Sequence, residues 1–298
     1  QCIPLFITDQ EGWNLTTGSH PEENGRFALI FSIYIKELEV FPMLLPVTAA
    51  DIPDFAAACA HEHIFGSRAL TALRAYGPGD PSVHFYLCRK GREPAAALYL
   101  SGNVLSISSD ERADPVLIAD LARRMQVHEI DTNWTQCRAL QSLLGGTTDS
   151  SYFMVYRGAP MEGDFSDIRP GVLPAVFETL QRSHEYYRTH LEYSAWSSDL
   201  NRRISCGLSE VYQLEAGGAV VGTGSIVSTD DECGVIGAVA VVPEHRHKGL
   251  GGHITRFLVQ RIQAMGKTPR LVSGYDEVAE LYRQIGFAPC GRWGELYL

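Results

Sequence analysis

The sequence predicts an α/β protein of the α+β kind, built from two halves in tandem, and three observations predict it. Its 298 residues suit about two domains at roughly 100–200 residues each. Short strand-like runs joined by tight turns alternate with amphipathic helical stretches. The order of these elements over residues 43–160 then recurs over residues 161–298, which marks a duplicated fold even where the residues themselves no longer match.

The first half opens on a strand at Met43-Leu44-Leu45. Thr48 or Asp51 then caps a helix that runs through Ala58, and a second helix over 67–75 stops at Tyr76-Gly77-Pro78-Gly79. Strands follow over 83–88, 95–100 and 104–108, separated by the hairpin turns Lys90-Gly91-Arg92-Glu93 and Ser101-Gly102-Asn103. Asp114 caps a helix over 115–125 with Pro115 in its first turn. A strand over 127–132, a helix over 135–144, the stop Gly145-Gly146 and a strand over 152–156 complete this half.

The second half repeats the order. Asp167-Ile168-Arg169-Pro170 opens helical stretches between residues 172 and 203, rich in Tyr, Trp and charge. Strands over 211–214 and 219–227 flank Gly217-Gly218, and a polar turn at 228–232 leads into a strand over 233–242. A helix over 251–265, a strand over 270–273, a helix over 277–285 and a last strand near 292–298 close the chain. Residues 1–42 fit neither half and read as an extension of unknown role.

Composition excludes several classes. With 45% hydrophobic and 20% charged residues the chain has ample material for buried cores, which rules out wholesale disorder. Its longest apolar runs, such as 235–242, fall far short of the ~20 residues a spanning helix needs, so no membrane partner is expected. A net charge of −10 argues against nucleic-acid binding through overall basicity. Seven scattered cysteines without a C-x-x-C pair indicate neither a disulfide framework nor a zinc site, and His61-Glu62-His63 is not H-E-x-x-H, so no metal is expected. No secretory signal is legible at the start, which makes the cytoplasm the expected location.

Chemistry concentrates in Val239-Ala240-Val241-Val242-Pro243-Glu244-His245-Arg246-His247-Lys248-Gly249-Leu250-Gly251-Gly252. Here a buried strand ends at a proline, and a glycine-rich turn feeds directly into a helix. Leu250, Ile254, Phe257, Leu258, Ile262 and Met265 form the apolar face of that helix. Unpaired N–H groups at a helix N-terminus attract anions, and glycines let the anion come close to the backbone. Arg246 and Lys248 add local positive charge to an acidic chain, and a pyrophosphate suits that geometry.

Arg246-His247-Lys248-Gly249-Leu250-Gly251 resembles the R/Q-x-x-G-x-G/A motif of the GNAT superfamily of acyl-CoA-dependent N-acyltransferases, and the strand before it is similar too. The resemblance implies two tandem GNAT-like domains, each a mixed, mostly antiparallel, splayed sheet flanked by helices. It implies acetyl-CoA as co-substrate. The bulged strand's backbone near Val239 and Val241 would pair with the pantetheine arm, and the loop amides of Arg246, His247, Lys248, Gly249, Leu250, Gly251 and Gly252 would hold the pyrophosphate.

Downstream, Asp276-Glu277-Val278-Ala279-Glu280-Leu281-Tyr282-Arg283-Gln284-Ile285-Gly286-Phe287 resembles the family's N-x-x-A-x-x-L-Y-x-x-x-G-F segment, with Asp276 where the family usually has Asn. Val278, Leu281, Tyr282 and Ile285 are expected to share the inward face of a helix. The resemblance gives Tyr282 the role of protonating the departing thiolate, and Asp276 a place beside the cofactor.

The first half has no counterpart to the loop. Ser109-Asp110-Glu111-Arg112-Ala113-Asp114-Pro115 lacks glycine, carries acids that would repel a pyrophosphate, and ends at a residue without an N–H. This half is expected to wall the substrate cleft or support assembly.

A protonated amine must lose its proton before it attacks a thioester. The strand over 233–242 carries no carboxylate, so Glu232 at its start is the candidate base, with Asp276, Glu192 or a water chain behind it. Tyr186, Tyr187, Tyr193 and Trp196 are candidates to line the acceptor site or simply to pack. The expected function is N-acetyl transfer from acetyl-CoA to a primary amine of a small molecule, by direct attack in a ternary complex, in a monomer or homodimer. The alternative is a non-catalytic acyl-CoA-binding regulator or scaffold.

Overall fold

A computed structural model describes residues 42–274 and 276–298, so the extension expected over 1–42 lies outside it except for Pro42. The first half contains β1 (Pro42–Pro46), α1 (Ile52–Cys59), α2 (His63–Tyr76), β2 (Val83–Lys90), β3 (Glu93–Ser101), β4 (Val104–Ser109), α3 (Pro115–Arg124), β5 (Glu129–Asn133), α4 (Trp134–Leu144) and β6 (Thr147–Tyr156). The second contains β7 (Ile168–Pro170), α5 (Leu173–Ser183), α6 (Glu185–His190), α7 (Tyr193–Ser205), β8 (Glu210–Ala216), β9 (Ala219–Thr229), β10 (Cys233–Val241), α8 (Leu250–Ala264), β11 (Thr268–Ser273), α9 (Asp276–Ile285) and β12 (Phe287–Tyr297).

Local chemistry explains where several elements depart from expectation. The helix expected from residue 67 begins at His63, because the Glu62 carboxylate accepts from the backbone N–H groups of Ile64 at 3.0 Å and Phe65 at 2.8 Å. Residues 168–170 form a short strand against β8 before the helices begin. β12 starts at Phe287, five residues before the expected 292, because it pairs along its length with β6.

The twelve strands among the described residues form one sheet in the order β1-β2-β3-β4-β5-β12-β6-β11-β10-β9-β8-β7. This order is a palindrome in which each strand of the first half is answered by the strand six later. Only β4–β5 and β10–β11 are parallel; the other neighbours are antiparallel. At the centre the halves exchange partners: β6 lies against β11, and β12 lies against β5. The order of elements begins to repeat between β6 and β7, whereas hydrogen bonding interleaves the last strand of each half with the other, and residues 42–298 form one compact unit.

Helices cover both faces of the sheet. Leu98 packs in the cluster that includes α3 and α4, whereas its neighbour Ala97 packs in that of α1 and α2. In the second half, α8 and α9 share a cluster with Ile236 and Leu271, while α5 and α7 pack with Val211 and Ala240. Phe65 of α2 reaches across the seam, edge-on to Phe153 of β6 at 5.5 Å and to Trp293 of β12 at 5.9 Å. Among the described residues no helix is long and apolar enough to cross a membrane.

Candidate functional site

The parallel pair β10–β11 is hydrogen-bonded in register only from Cys233↔Thr268 to Ile236↔Leu271. Beyond that point β10 bulges. Gly237 pairs with Ser225 of β9 but the next pair is Ala240 with Thr223, so one extra residue is accommodated, and Ala238 takes a φ of 52°. The bulge turns the strand away from β11 and opens a splay whose wall is the β10 backbone from Gly237 to Val241. Val239 and Val241 lie on that wall, half-buried, with side chains packed toward the α8 cluster.

A close approach of α8 to the sheet sets its N-terminus beside the splay. A Cβ at Gly224 would lie 2.5 Å from Ile254 Cγ2, one at Gly222 would lie 2.9 Å from Ile254 Cδ1, and one at Gly234 would lie 2.9 Å from Ile262 Cγ1. The helix therefore rests on a strip of bare backbone. The expected apolar face of α8 holds for Ile254, Leu258 and Ile262, which are buried, with Leu250, Phe257 and Met265 partly buried beside them.

The connecting loop has φ of 60° at His247 and 79° at Gly249, a curvature that turns backbone N–H groups toward a common centre. Gly249 is the N-cap of α8 and offers no side-chain acceptor, so the first amides of the helix are uncapped. A Cβ on Gly249 or Gly251 would meet nothing within 4 Å, which leaves an open cradle over those amides. The counterpart in the first half is closed: Asp114 Oδ1 accepts from Val116 N at 2.8 Å, and Asp110 accepts from Arg112.

The basic residues act on the loop itself. Arg246 donates through Nε to the Val241 carbonyl at 3.1 Å and through its terminal nitrogen to the Ser183 carbonyl, tying the loop to β10 and to the C-terminal end of α5. Lys248 Nζ donates to the Glu244 carbonyl at 3.2 Å, and Glu244 is ion-paired with Arg182. His247 and Lys248 are exposed, and Leu250 is half-buried against the α8 cluster.

Tyr282 lies on the inner face of α9, 9% exposed, with its ring edge-on to Phe287. Burial pushes its phenol up to about 12, and the neighbouring Tyr187 phenol adds to the rise, so at neutral pH Tyr282 carries its proton. The inner face of α9 is Ala279, Tyr282 and Ile285, whereas Val278 and Leu281, expected beside them, are each 37% exposed. A one-residue error in phase at a 3.6-residue period explains the difference. Asp276 is exposed at the start of α9, and Gly252 lies beside α9, where a Cβ would be 3.5 Å from Leu281 Cδ1.

Glu232 does not join this group. It stands at the opposite end of β10 from the splay, its side chain is 74% exposed, and it faces His63 Nδ1 at 3.7 Å. Glu192 is committed to capping α7: its carboxylate accepts from Ser194 and Ala195, and those hydrogen bonds hold it below the usual carboxylate range. Tyr193 and Trp196 pack against Phe177, and Tyr187 packs in the cluster of α5 and α7. Sequence reading also missed three carboxylates, Glu129, Asp131 and Glu295, that come within 4.8 Å of one another. They lie 166 positions apart at the extremes, and only the strand exchange brings β5 and β12 together.

Comparison with known proteins accords with this geometry. Residues 173–287 match the acetyltransferase (GNAT) family model. No curated protein matches the chain in sequence. Among solved structures, a GCN5-related N-acetyltransferase from Sphaerobacter thermophilus is similar at 16% identity and a TM-score of 0.57, over 85% of this chain and 94% of that one. A tandem GNAT protein from the clavulanic acid biosynthesis pathway is similar at 14% identity and a TM-score of 0.56, over 86% and 97%. A Drosophila protein is similar at 14% identity and a TM-score of 0.59, over 86% and 99%. The expected fold class therefore holds: an α+β protein of two tandem halves of this kind.

Proposed function

We propose that the protein, whose residues 173–287 match the acetyltransferase (GNAT) family model, transfers the acetyl group of acetyl-CoA to a primary amine of a small molecule by direct attack in a ternary complex. One observation supports this reading: the uncapped, glycine-lined N-terminus of α8 follows directly on the bulged strand β10, and Val239, Val241, Leu250 and Tyr282 pack in one cluster.

The amides from Arg246 to Gly252 bind a pyrophosphate, assisted by the helix macrodipole and by the charge of Lys248. Arg246 serves as a staple that holds the loop in its curved form. The β10 backbone near Val239 and Val241, left unpaired by β11, hydrogen-bonds the pantetheine amides and aligns the thioester with its acceptor. Tyr282 donates its proton to the leaving sulfur. Asp276 borders the loop from α9. β10 carries no carboxylate from Cys233 to Val241, and Glu232 is too far along the strand, so the amine sheds its proton to water before attack. Six unpaired cysteines among the described residues suit a reducing cytoplasm.

The missing β10 carboxylate also favours a second reading, a non-catalytic acyl-CoA-binding regulator. Thermal unfolding with acetyl-CoA, followed by thiol release across a panel of amines, separates the two. Protection with release supports the transferase; protection without release from any amine supports the regulator. Absence of protection overturns both.

A further inference from the structure

The carboxylates of Glu129, Asp131 and Glu295 lie on one face of the sheet at the seam between the halves. Glu295 pairs directly with Asp131 across β12 and β5, and Glu129 lies two residues from Asp131 on the same face. One oxygen from each falls within 4.8 Å of the others. Asp149 of β6, paired with Glu295 on its other side, adds further negative charge.

Asp131 is the telling member. It is 3% exposed, and its Oδ1 has no hydrogen-bond partner. Arg68 approaches only the other oxygen, at 3.7 Å, and the Trp293 indole and Ser106 hydroxyl face the carboxylate without closing a bond to Oδ1. A buried acceptor left unpaired is costly and is normally satisfied by protein, water or ligand. Burial, with repulsion from the neighbouring carboxylates, raises Asp131 to about 6 and Glu295 to about 7, so a positive charge placed among them would favour their ionised forms.

Tyr186 of α6 feels the charge of all three carboxylates, its ring meets that of Tyr187 at 5.7 Å, and the Tyr187 phenol is felt in turn by that of Tyr282. Strand registers give the scale. Ser273 at the mouth of the splay is level with Tyr152 and Arg292, and Glu295 lies two strands across and three residues along. That is about 14 Å, too far for these carboxylates to act on the reacting nitrogen.

We propose that Glu129, Asp131 and Glu295 form a subsite that receives a second, non-reacting ammonium group of an elongated acceptor whose other amine is acetylated at the splay. The proposal rests on the transferase reading and names its substrate class, a diamine or polyamine rather than a lone amine. An ammonium nitrogen ~2.8 Å from each of three tetrahedrally placed oxygens separates them by ~4.6 Å, which the cluster's span admits. The two halves then have one purpose together: the second binds the cofactor, and the first, with β12 exchanged into it, measures the acceptor.

Thiol release by the full chain with spermine and with n-butylamine, in the wild type and in Glu295→Gln, tests this. Glu295→Gln should raise the KM for spermine about tenfold, leave its kcat and the n-butylamine kinetics nearly unchanged, and keep acetyl-CoA protection. Asp131→Asn provides a second, near-isosteric variant with the same expectation. Equal effects on both amines, or none on either, overturn the subsite and leave the transferase reading intact. Stabilisation by Mn²⁺ or Ca²⁺ that Glu295→Gln abolishes, with spermine kinetics unmoved, overturns it in favour of a metal site. Should wild type turn over neither amine, a thermal shift by spermine in the presence of coenzyme A still decides. A shift lost in Glu295→Gln supports the subsite, and no shift overturns it. Failure of acetyl-CoA itself to protect overturns the transferase reading, and the subsite with it.

Discussion

Tyr282 and Leu140 are counterparts: each is the seventh residue of the helix that follows the fifth strand of its half, α9 after β11 and α4 after β5. Both are buried, Tyr282 9% exposed and Leu140 fully. One half thus keeps a protonated phenol where the other keeps only packing. If Tyr282 supplies the leaving group's proton, Tyr282→Phe should lower kcat by about 10–100-fold while acetyl-CoA protection stays near wild type. The ring remains to pack against Phe287, so stability should change little. Steady-state thiol release and thermal unfolding on one preparation check this, and unchanged kcat removes Tyr282 from the mechanism.

The closed and open helix starts form a second pair. Asp114 satisfies the N-terminus of α3 with its own carboxylate, whereas Gly249 leaves that of α8 uncapped at a φ of 79°. Gly249→Glu would place a carboxylate beside the amides that the cofactor needs, and would force a side chain into the left-handed region. It should abolish acetyl-CoA protection and cost about 1 kcal/mol of stability. Calorimetric titration with coenzyme A measures the first effect, and denaturant unfolding the second. Retained binding refutes the loop assignment.

Much of this was legible in sequence because local signals carried it. Gly249 and Gly251 mark the loop, the period of Ile254, Leu258 and Ile262 marks the helix, and the repeated order of elements marks the duplication. Two things were not legible, each for a physical reason. The β6–β12 exchange is non-local: either strand pairs plausibly with its own half, and nothing in its alternation names the partner. The cluster of Glu129, Asp131 and Glu295 follows from that exchange and shares the blindness. Phase was the other failure. The α9 segment Val278-Ala279-Glu280-Leu281-Tyr282 offers two apolar faces, and packing chose the one holding Ala279. Glu232 adjoins β10 in sequence yet stands at the end opposite its bulge, because proximity in sequence to a strand is not proximity to its splayed end.

The seat of α8 gives a third expectation. Gly224 lies beneath Ile254 and Leu258, where a Cβ would come within 2.5–2.9 Å of their side chains. Gly224→Val should lift the helix and move the loop. The expected cost is about 1–3 kcal/mol, with weakened acetyl-CoA binding although the residue lies outside the loop. Gly251→Ala, whose Cβ meets open space, is the control and should leave stability within about 0.5 kcal/mol. Equal destabilisation by the two would refute the close approach.

The acid cluster makes stability depend on pH with a definite sign. Asp131 is raised from 3.8 to about 6 and Glu295 from 4.5 to about 7, burial first in both cases. Between the ordinary and raised values the folded protein holds protons that the unfolded chain has released. Stability is therefore full at the acid end of that window and falls as pH rises through about 6 to 7, the reverse of a carboxylate held by a salt bridge. Above pH 5 about one pH unit of the Asp131 window remains and about two of the Glu295 window, the latter discounted for its partial exposure, so the loss between pH 5 and pH 8 should total ~1–3 kcal/mol. The Asp131→Asn, Glu295→Gln double variant should flatten this fall, because neither amide ionises. Spermine at pH 8 should restore part of it in the wild type alone, since a cation favours the ionised forms that burial penalises. Denaturant unfolding at pH 5 and pH 8, with and without spermine, measures both. A double variant as pH-sensitive as the wild type would place the titrating groups elsewhere.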